Sequence, residues 1–365
     1  MGAAVALLVL TAAACGSGAD GGADGGADGG AAPAVPAPSA STSGEEQPPQ
    51  PAGDNPPTGE PLTLAFAGDV HFEGSSRAAL SGGLAAITPA LSAADLTVVN
   101  LETAVSTHGT PVAGKQFTFR APAAAFSVLK SAGVDVVTMA NNHALDYGPV
   151  ALADSLAASR EAGLPVVGAG ADEDAAFAAH IADVKGRRVA VVGATQVLDS
   201  GLAAAWTAGP GKPGLASAKD EDRLVAAVRA ARAAADVVVV DLHWGTETVS
   251  CATDAQRSLA RLLVDAGADV VVGSHAHVLL GGGWLGKAYV DYGLGNFIFY
   301  ARTPPTQATG VLTLTVRGRE VTSSQWAPAR ISGGLPQPLA GAAATQAGVA
   351  KDRLRGCTGL SGTPG

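Results

Sequence analysis

The chain has 365 residues and a net charge of −9, with hydrophobic side chains at 47% and aromatic ones at only 4%. That length suits one large or two modest domains, and with no basic stripe or aromatic platform it excludes a nucleic-acid footprint. Seven acidic side chains (Asp20, Asp24, Asp28, Glu45, Glu46, Asp54 and Glu60) fall in the first 60 residues, where Lys and Arg are absent, so the remainder is nearly neutral. The apolar share is mostly Ala and Val, which reads as an alanine-rich α/β core and not as a membrane bundle.

In chain order, Ala3–Ala14 is an apolar run too short to span a bilayer as a stable helix. It ends in Ala12-Ala13-Ala14-Cys15, similar to a lipoprotein signal-peptidase box. Residues 1–15 are therefore read as a lipoprotein signal peptide with Cys15 as the lipidated residue. This predicts an exported cell-membrane lipoprotein facing outside; an ordinary secretory signal or a buried apolar segment are the alternatives. Residues 16–60, a Gly-Gly-Ala-Asp repeat followed by a Pro-rich stretch, offer almost no large apolar side chains to offset ordering entropy and read as a tether. From Leu62 to about Ala329, apolar runs of strand length alternate with longer helical segments. The spacing predicts strands at Leu62–Ala67, Leu96–Val99, Val134–Met139, Pro165–Val167, Arg188–Val192, Val237–Leu242 and Val270–Val272. Between them it predicts helices at Ala123–Ala132, Val150–Ala162, Asp220–Ala235 and Thr253–Ala266. The strands are Val-rich and do not alternate, as expected when both faces of a sheet are covered. After Gly273 come shorter strands, Ala288–Tyr292, Gly310–Val316 and Glu320–Ala327, with a hairpin around Gly318. A β-α-β half followed by a more antiparallel half fits a layered α/β/β/α sandwich for residues 61–330. Residues 331–365 read as a low-complexity tail.

Five of the seven histidines lie in short polar clusters that end the apolar runs: Gly68-Asp69-Val70-His71, Asn141-Asn142-His143, His243-Trp244-Gly245 and Gly273-Ser274-His275-Ala276-His277. A further cluster, Asn100-Leu101-Glu102, follows Leu96–Val99. Residues just past strand ends converge on one rim of an α/β fold, and imidazole, carboxylate and carboxamide suit Zn, Mn, Fe or Ni. The pattern is that of a metal-site protein. His108 and His180 match no cluster and read as surface or packing residues.

These clusters, together with Gly114-Lys115, Phe119-Arg120-Ala121-Pro122, Ala140-Asn141-Asn142-His143-Ala144-Leu145-Asp146-Tyr147-Gly148, His243-Trp244-Gly245-Thr246-Glu247 and Leu294-Gly295-Asn296-Phe297, resemble the capsule-synthesis CapA family. That family is linked to poly-γ-glutamate and is related in fold to calcineurin-like metallophosphatases. The resemblance implies a four-layer α/β/β/α sandwich of the metallophosphatase type and a site for two divalent metal ions. By the same resemblance, Asp69 and His71 hold the first metal, Glu102 bridges, Asn142, His243 and His275 complete the second, and His277 returns to the first. His143 would be a general acid with Asp146 on its other ring nitrogen, unless it merely caps the following helix. Lys115 and Arg120 would grip an anionic substrate, or else are solvated loop charges. Glu247 would support His243, or is a surface carboxylate, and Asn296 is given no role beyond shaping its loop. In an exported protein Cys251 and Cys357 either pair, pinning the tail near the site, or remain free thiols, Cys251 buried. Three functions stay open. One is synthesis, anchoring or processing of an anionic envelope polymer; another is metal-dependent phosphoester or amide hydrolysis unrelated to capsule; the third is non-catalytic polymer binding. The expected partners are an anionic polymer or phosphoester and, through the lipid anchor, the membrane.

Overall fold

A computed structural model of the chain describes residues 60–365; the expected signal peptide, Cys15 and all but the last residue of the expected tether lie outside the described residues. Two sheets carry the architecture. The first has eight strands, in the order Leu335–Pro338, Glu320–Ser332, Ala308–Arg317, Leu62–Val70, Leu96–Leu101, Val136–Thr138 and Val166–Val167, with Asn296–Ile298 also pairing to Leu62–Val70. The second runs Gly282–Leu285, Ala288–Asp291, Val270–His275, Val237–Trp244, Arg187–Thr195 and His180–Val184. In the first sheet the pairs from Leu62–Val70 through Leu96–Leu101 and Val136–Thr138 to the edge strand Val166–Val167 are parallel, and those from Leu62–Val70 through Ala308–Arg317 and Glu320–Ser332 to Leu335–Pro338 are antiparallel. In the second sheet the middle strands are parallel and both edge strands antiparallel.

The Val-rich runs are explained by two-sided burial. In Val237–Val240, Val237 and Val239 join the core between the two sheets. Val238 and Val240 join the outer core against helices Glu221–Ala234 and Asp254–Ala266. In the first sheet Leu62, Leu64 and Phe66 face the second sheet. Ala65 and Ala67 face helices Ala124–Ser131 and Gly148–Ala162, whose Phe126, Leu129 and Leu152 cover them. Alternating side chains thus feed two cores, so no polar position is left along these strands. At roughly 1.5–3 kcal/mol per buried large apolar side chain, this burial is the main source of stability. Helix, sheet, sheet and helix stack as four layers, the expected sandwich.

The helix ends obey local chemistry. Thr253 caps Asp254–Ala266 through the Gln256 N–H, Gln256 caps it reciprocally, and Gly267 closes it in the left-handed region at φ +116°. Asp220 accepts from Arg223 N–H at the start of Glu221–Ala234.

Residues 331–365, read as a low-complexity tail that a disulfide could pin, carry a strand and a helix and are joined to the domain by the Cys251–Cys357 pair. Strand Glu320–Ser332 runs five residues past its expected end, Leu335–Pro338 pairs beside it, and a helix spans Gly341–Arg353. This helix has almost no apolar stripe, hence the weak signal in the sequence. It is fastened by the buried Lys351 ammonium, which pairs with Asp291 at 2.9 Å, and by a Cys251–Cys357 disulfide with Cα atoms 5.5 Å apart.

The disulfide closes a loop with a sequence separation of 106 residues. In the chain-entropy treatment such a loop is worth up to ~4–5 kcal/mol. A double Cys251→Ser/Cys357→Ser variant should therefore unfold at lower urea, and its helix Gly341–Arg353 should become sensitive to limited proteolysis. Unchanged stability and protection would show that the bridge fastens nothing.

Candidate metal centre

The site sits where strands of both sheets end. Asp69 occupies the end of Leu62–Val70 and Glu102 follows Leu96–Leu101; Asn142 and His143 come just after Val136–Thr138, while His243 and His275 close strands of the second sheet. The register of Leu62–Val70 slips against Leu96–Leu101 between Ala67 and Asp69, and against Asn296–Ile298 between Asp69 and Val70. A bulge of this kind re-aims side chains, and here it turns Asp69 into the centre. Gly68 permits the crossing, because a Cβ there would lie 1.7 Å from the Gly295 carbonyl oxygen. Gly273 does the same before His275, where a Cβ would meet Trp244 Nε1 at 2.1 Å. His275 and His277 lie at φ +94° and +56°, costing on the order of 1–3 kcal/mol each for side chains with a Cβ.

Asp69, His71, Glu102, Asn142, His243 and His275 are all buried and His277 nearly so. Ligand atoms of Glu102, His275 and His277 lie within 4.8 Å of one another. His275 N–H faces both Asp69 oxygens at 3.3 Å, and His277 Nδ1 is 3.2 Å from Asp69 Oδ2. His243 Nε2 lies 2.8 Å from Asn142 Oδ1 and 3.5 Å from Glu102 Oε1. These contacts join Asp69, Glu102, Asn142, His243, His275 and His277, and His71 lies against an aromatic wall of Phe119, Phe299 and Tyr300, of which Phe299 also touches His277.

Four atoms in this group are buried and have no hydrogen-bond partner: both oxygens of Glu102, Nε2 of His71 and Nδ1 of His275. Burying a partnerless carboxylate is among the costliest arrangements in a protein interior. Burial, and then the neighbouring Asp69, push the Glu102 carboxyl well above the usual carboxylate range. Burial and the charge of His277 press His275 down to about 4. At His277 burial works the same way but is overcome by Glu102 and Asp69, with Glu247 adding to them, and the ring is raised to about 10. Asp241, buried behind His243, is pushed up to about 8 by burial and by Asp69. Cations among these groups would supply the missing partners, so the donor set fits metal.

His143 Nδ1 contacts Asp146 Oδ2 at 2.6 Å, and its Nε2 faces Glu102 Oε1 at 3.9 Å. Asp146 also accepts from Phe119 N–H at 2.6 Å and from the Lys115 ammonium, which additionally binds the Asn142 carbonyl. Burial lowers the His143 pKa, against the opposing pull of Asp146. Two expectations change here. Lys115 is neither a solvated loop charge nor a free anion grip; it is buried against Asp146 and over the Trp206 ring at 4.9 Å. Arg120 stacks 3.5 Å above Tyr147 and gives its Nη2 to the His108 and Gly109 carbonyls, so it is a packed side chain with part of its fork committed to backbone. Glu247 is exposed.

Sequence reasoning missed the groups that hold the ligands in place. Asn100 donates to Asp69 Oδ1 at 2.8 Å and lies 3.1 Å from His243 Nδ1. Ser274 and Ser76 hydroxyls sit 3.2 and 3.0 Å from Nδ1 of His243 and His71. Asn296 Oδ1 lies 2.9 Å from His277 Nδ1, and its amide donates to the His277 and Thr306 carbonyls. With Asn296 so oriented, its oxygen accepts, the His277 proton sits on Nδ1, and Nε2 is left to ligate. Asn100 and Asn296 were visible inside recognised blocks, but their amides look like turn formers until the fold shows what they touch.

The fold and site define a four-layer α/β protein with a buried, metal-compatible cluster of histidines and carboxylates at the carboxyl ends of its strands. The sequence pattern of the bacterial capsule synthesis protein family PGA_cap matches residues 63–301, and the chain belongs to that family. It is 34% identical over 218 residues to the capsule biosynthesis protein CapA of Bacillus anthracis, covering 59% of this chain and 52% of that protein. It is 35% identical over 215 residues to the PGA biosynthesis protein CapA of Bacillus subtilis, covering 58% and 55% respectively. The chain therefore spans about half the length of the curated relatives it matches. Among solved structures, a hypothetical protein from Thermus thermophilus superimposes with a TM-score of 0.49 at 19% identity, covering 74% of this chain and all of that one.

Glu102 offers a test of the metal fit in two directions. With its pKa raised in the folded state, Glu102 destabilises the metal-free protein increasingly as pH rises above the unfolded carboxylate range of about 4. In urea unfolding with chelator present, Glu102→Gln should therefore match or exceed the wild-type stability at pH 7, with the gap closing towards pH 4. The same variant should bind less metal. A Glu102→Gln protein that is less stable than wild type when both are metal-free would refute the account.

Proposed function

We propose that this chain acts at the outer face of the cell membrane, anchored through Cys15, as a metal-dependent hydrolase of poly-γ-glutamate or a related anionic envelope polymer. The observation that carries the reading is the set of four buried, partnerless ligand atoms on Glu102, His71 and His275. Asp69, His71, Glu102 and His277 would hold one divalent cation, and Glu102, Asn142, His243 and His275 a second. Mn, Zn, Fe and Ni all suit this donor set. When bound, the pair supplies a Lewis acid for the scissile carbonyl or phosphoryl oxygen and makes a water acidic enough to attack near neutral pH.

The chain's own residues do the rest. His143 keeps a proton on Nδ1, held by Asp146, which fixes the ring and aims Nε2 at the centre. Nε2 would then take the proton that the attacking water gives up and pass it to the departing amine or alkoxide, so that the ring is a neutral Nδ1–H imidazole before and after the step. Lys115 and Phe119 N–H hold Asp146. Support for the polymer as substrate comes from membership of the capsule synthesis family and from the names of the Bacillus relatives.

The test begins with metal analysis of the purified full chain, followed by γ-glutamyl and phosphoester substrates. His143→Ala should cut turnover by ~10²–10⁴ while leaving metal content nearly intact. Loss of metal in that variant would make His143 a ligand. Turnover of either substrate class should vanish on chelation and return with added metal. Metal-dependent polymer retention without turnover would leave a binding module, and retention by the stripped protein would refute a role for the metals.

A further inference from the structure

The ordered C-terminal segment lies beyond residue 301, where the family match ends, yet it reaches the two segments that carry His277 and Asn296. Lys351, on helix Gly341–Arg353, is buried. Its ammonium donates to the Leu280 carbonyl at 2.5 Å, to Asp291 Oδ1 at 2.9 Å and to the Gly293 carbonyl at 3.5 Å. Leu280 is three residues after His277, and Gly293 is three residues before Asn296. The two segments also meet directly, through Leu280 N–H to the Gly293 carbonyl at 2.9 Å and a bridge between Leu279 and Leu294. One buried cation therefore ties together the backbone bearing His277 and the backbone bearing the amide that orients its ring.

The surroundings show how firmly this is held. Asp291 is fully buried, accepts from Gly293 N–H at 3.1 Å, and balances the ammonium. Trp326 covers the ammonium at 5.2 Å. Cys357, four residues past the helix, is bonded to Cys251 in the loop after His243, and Thr248 in that loop donates to the Ala276 carbonyl at 2.8 Å. The C-terminal segment is thus fixed to the loops following both His243 and His277.

We propose that Lys351 is a positioning residue for the metal centre: it holds the Leu280 and Gly293 carbonyls together so that Asn296 keeps the His277 proton on Nδ1 and leaves Nε2 turned to metal. This rests on the metal reading above but is tested separately from it. The alternative is that the Lys351–Asp291 pair only supports the fold. A single Lys351→Met change would leave the Asp291 carboxylate buried and unpaired, and a destabilised protein would answer nothing. The deciding variant is therefore Lys351→Met/Asp291→Asn, which removes both charges, keeps an oxygen acceptor for Gly293 N–H and loses the links to the carbonyls.

Two readouts are taken on the oxidised full chain, with thermal melting as a control for stability. The first is Mn²⁺ affinity by chelator competition, with Asn296→Leu as the reference for a lost His277 partner. The second, on metal-free protein, is the slowly exchanging His277 Nδ1–H resonance. The double variant should melt near wild type, bind Mn²⁺ at least ~10-fold more weakly, as outer partners of ligands commonly do, and lose the protected ring proton. Wild-type affinity with the ring proton still protected would overturn the proposal. A wild-type chain that binds no Mn²⁺, Zn²⁺, Fe²⁺ or Ni²⁺ would overturn the metal reading instead. In that case the ring-proton signal alone still decides the role of Lys351.

Discussion

The structure is organised around a carboxylate in the wrong place. Glu102 is fully buried with neither oxygen hydrogen-bonded, and His71 Nε2 and His275 Nδ1 are also buried and unsatisfied. In water each of these atoms would be solvated. Here they are kept dry by two sheets whose cores are already filled on both faces, so the cluster cannot relax by letting a strand end swing out. The stability of the Val-rich layers is what makes an unfavourable arrangement of polar groups possible at their edge.

That edge is shaped by backbone devices more than by side-chain packing. A bulge at Asp69, glycines at 68 and 273 where a Cβ would collide with neighbouring backbone or indole, and left-handed conformations at His275 and His277 all fall within a few residues of ligand atoms. Each costs stability locally, and together they bring side chains from both sheets to one point. Buried amides and hydroxyls then set the rings. Asn100 links Asp69 to His243, and Asn296 fixes His277.

Much of this was legible in the sequence, for physical reasons that also explain what was not. Long Val-rich runs and capped amphipathic helices such as Asp254–Ala266 announce themselves, because burial on both faces and capping boxes leave local marks. The ligand residues were legible as polar clusters ending those runs. The edge strand His180–Val184 was missed: its residues are half exposed, and it depends on pairing with Arg187–Thr195 across the Lys185-Gly186 turn, where Lys185 takes φ +51°. Helix Gly341–Arg353 was missed because an Ala- and Gly-rich segment carries no apolar stripe; one ion pair and one disulfide, both long-range, hold it. Lys115 and Arg120 were read as cations for a substrate because charge type is visible in a sequence and partner choice is not. Asp146 and the His108 carbonyl lie 31 and 12 residues away along the chain.

The redirection of those two cations changes the electrostatics of the centre. Asp69, Glu102, Asp146 and Asp241 are all buried within this region, and Lys115 is neutralised by Asp146. Arg120 is turned to backbone carbonyls. His277, with its pKa raised to about 10, is the remaining positive group among the ligands, and it is already matched by Asp69 and Glu102. With Glu102 held well above the usual carboxylate range and Asp241 pushed up to about 8, the metal-free centre carries little net charge with which to attract a polyanion. On the proposed reading, bound cations would therefore do more than activate water: they would make the local field positive, so that the site would attract an anionic polymer once it is loaded. Metal binding and substrate binding would then be coupled through charge alone, without any movement of the fold.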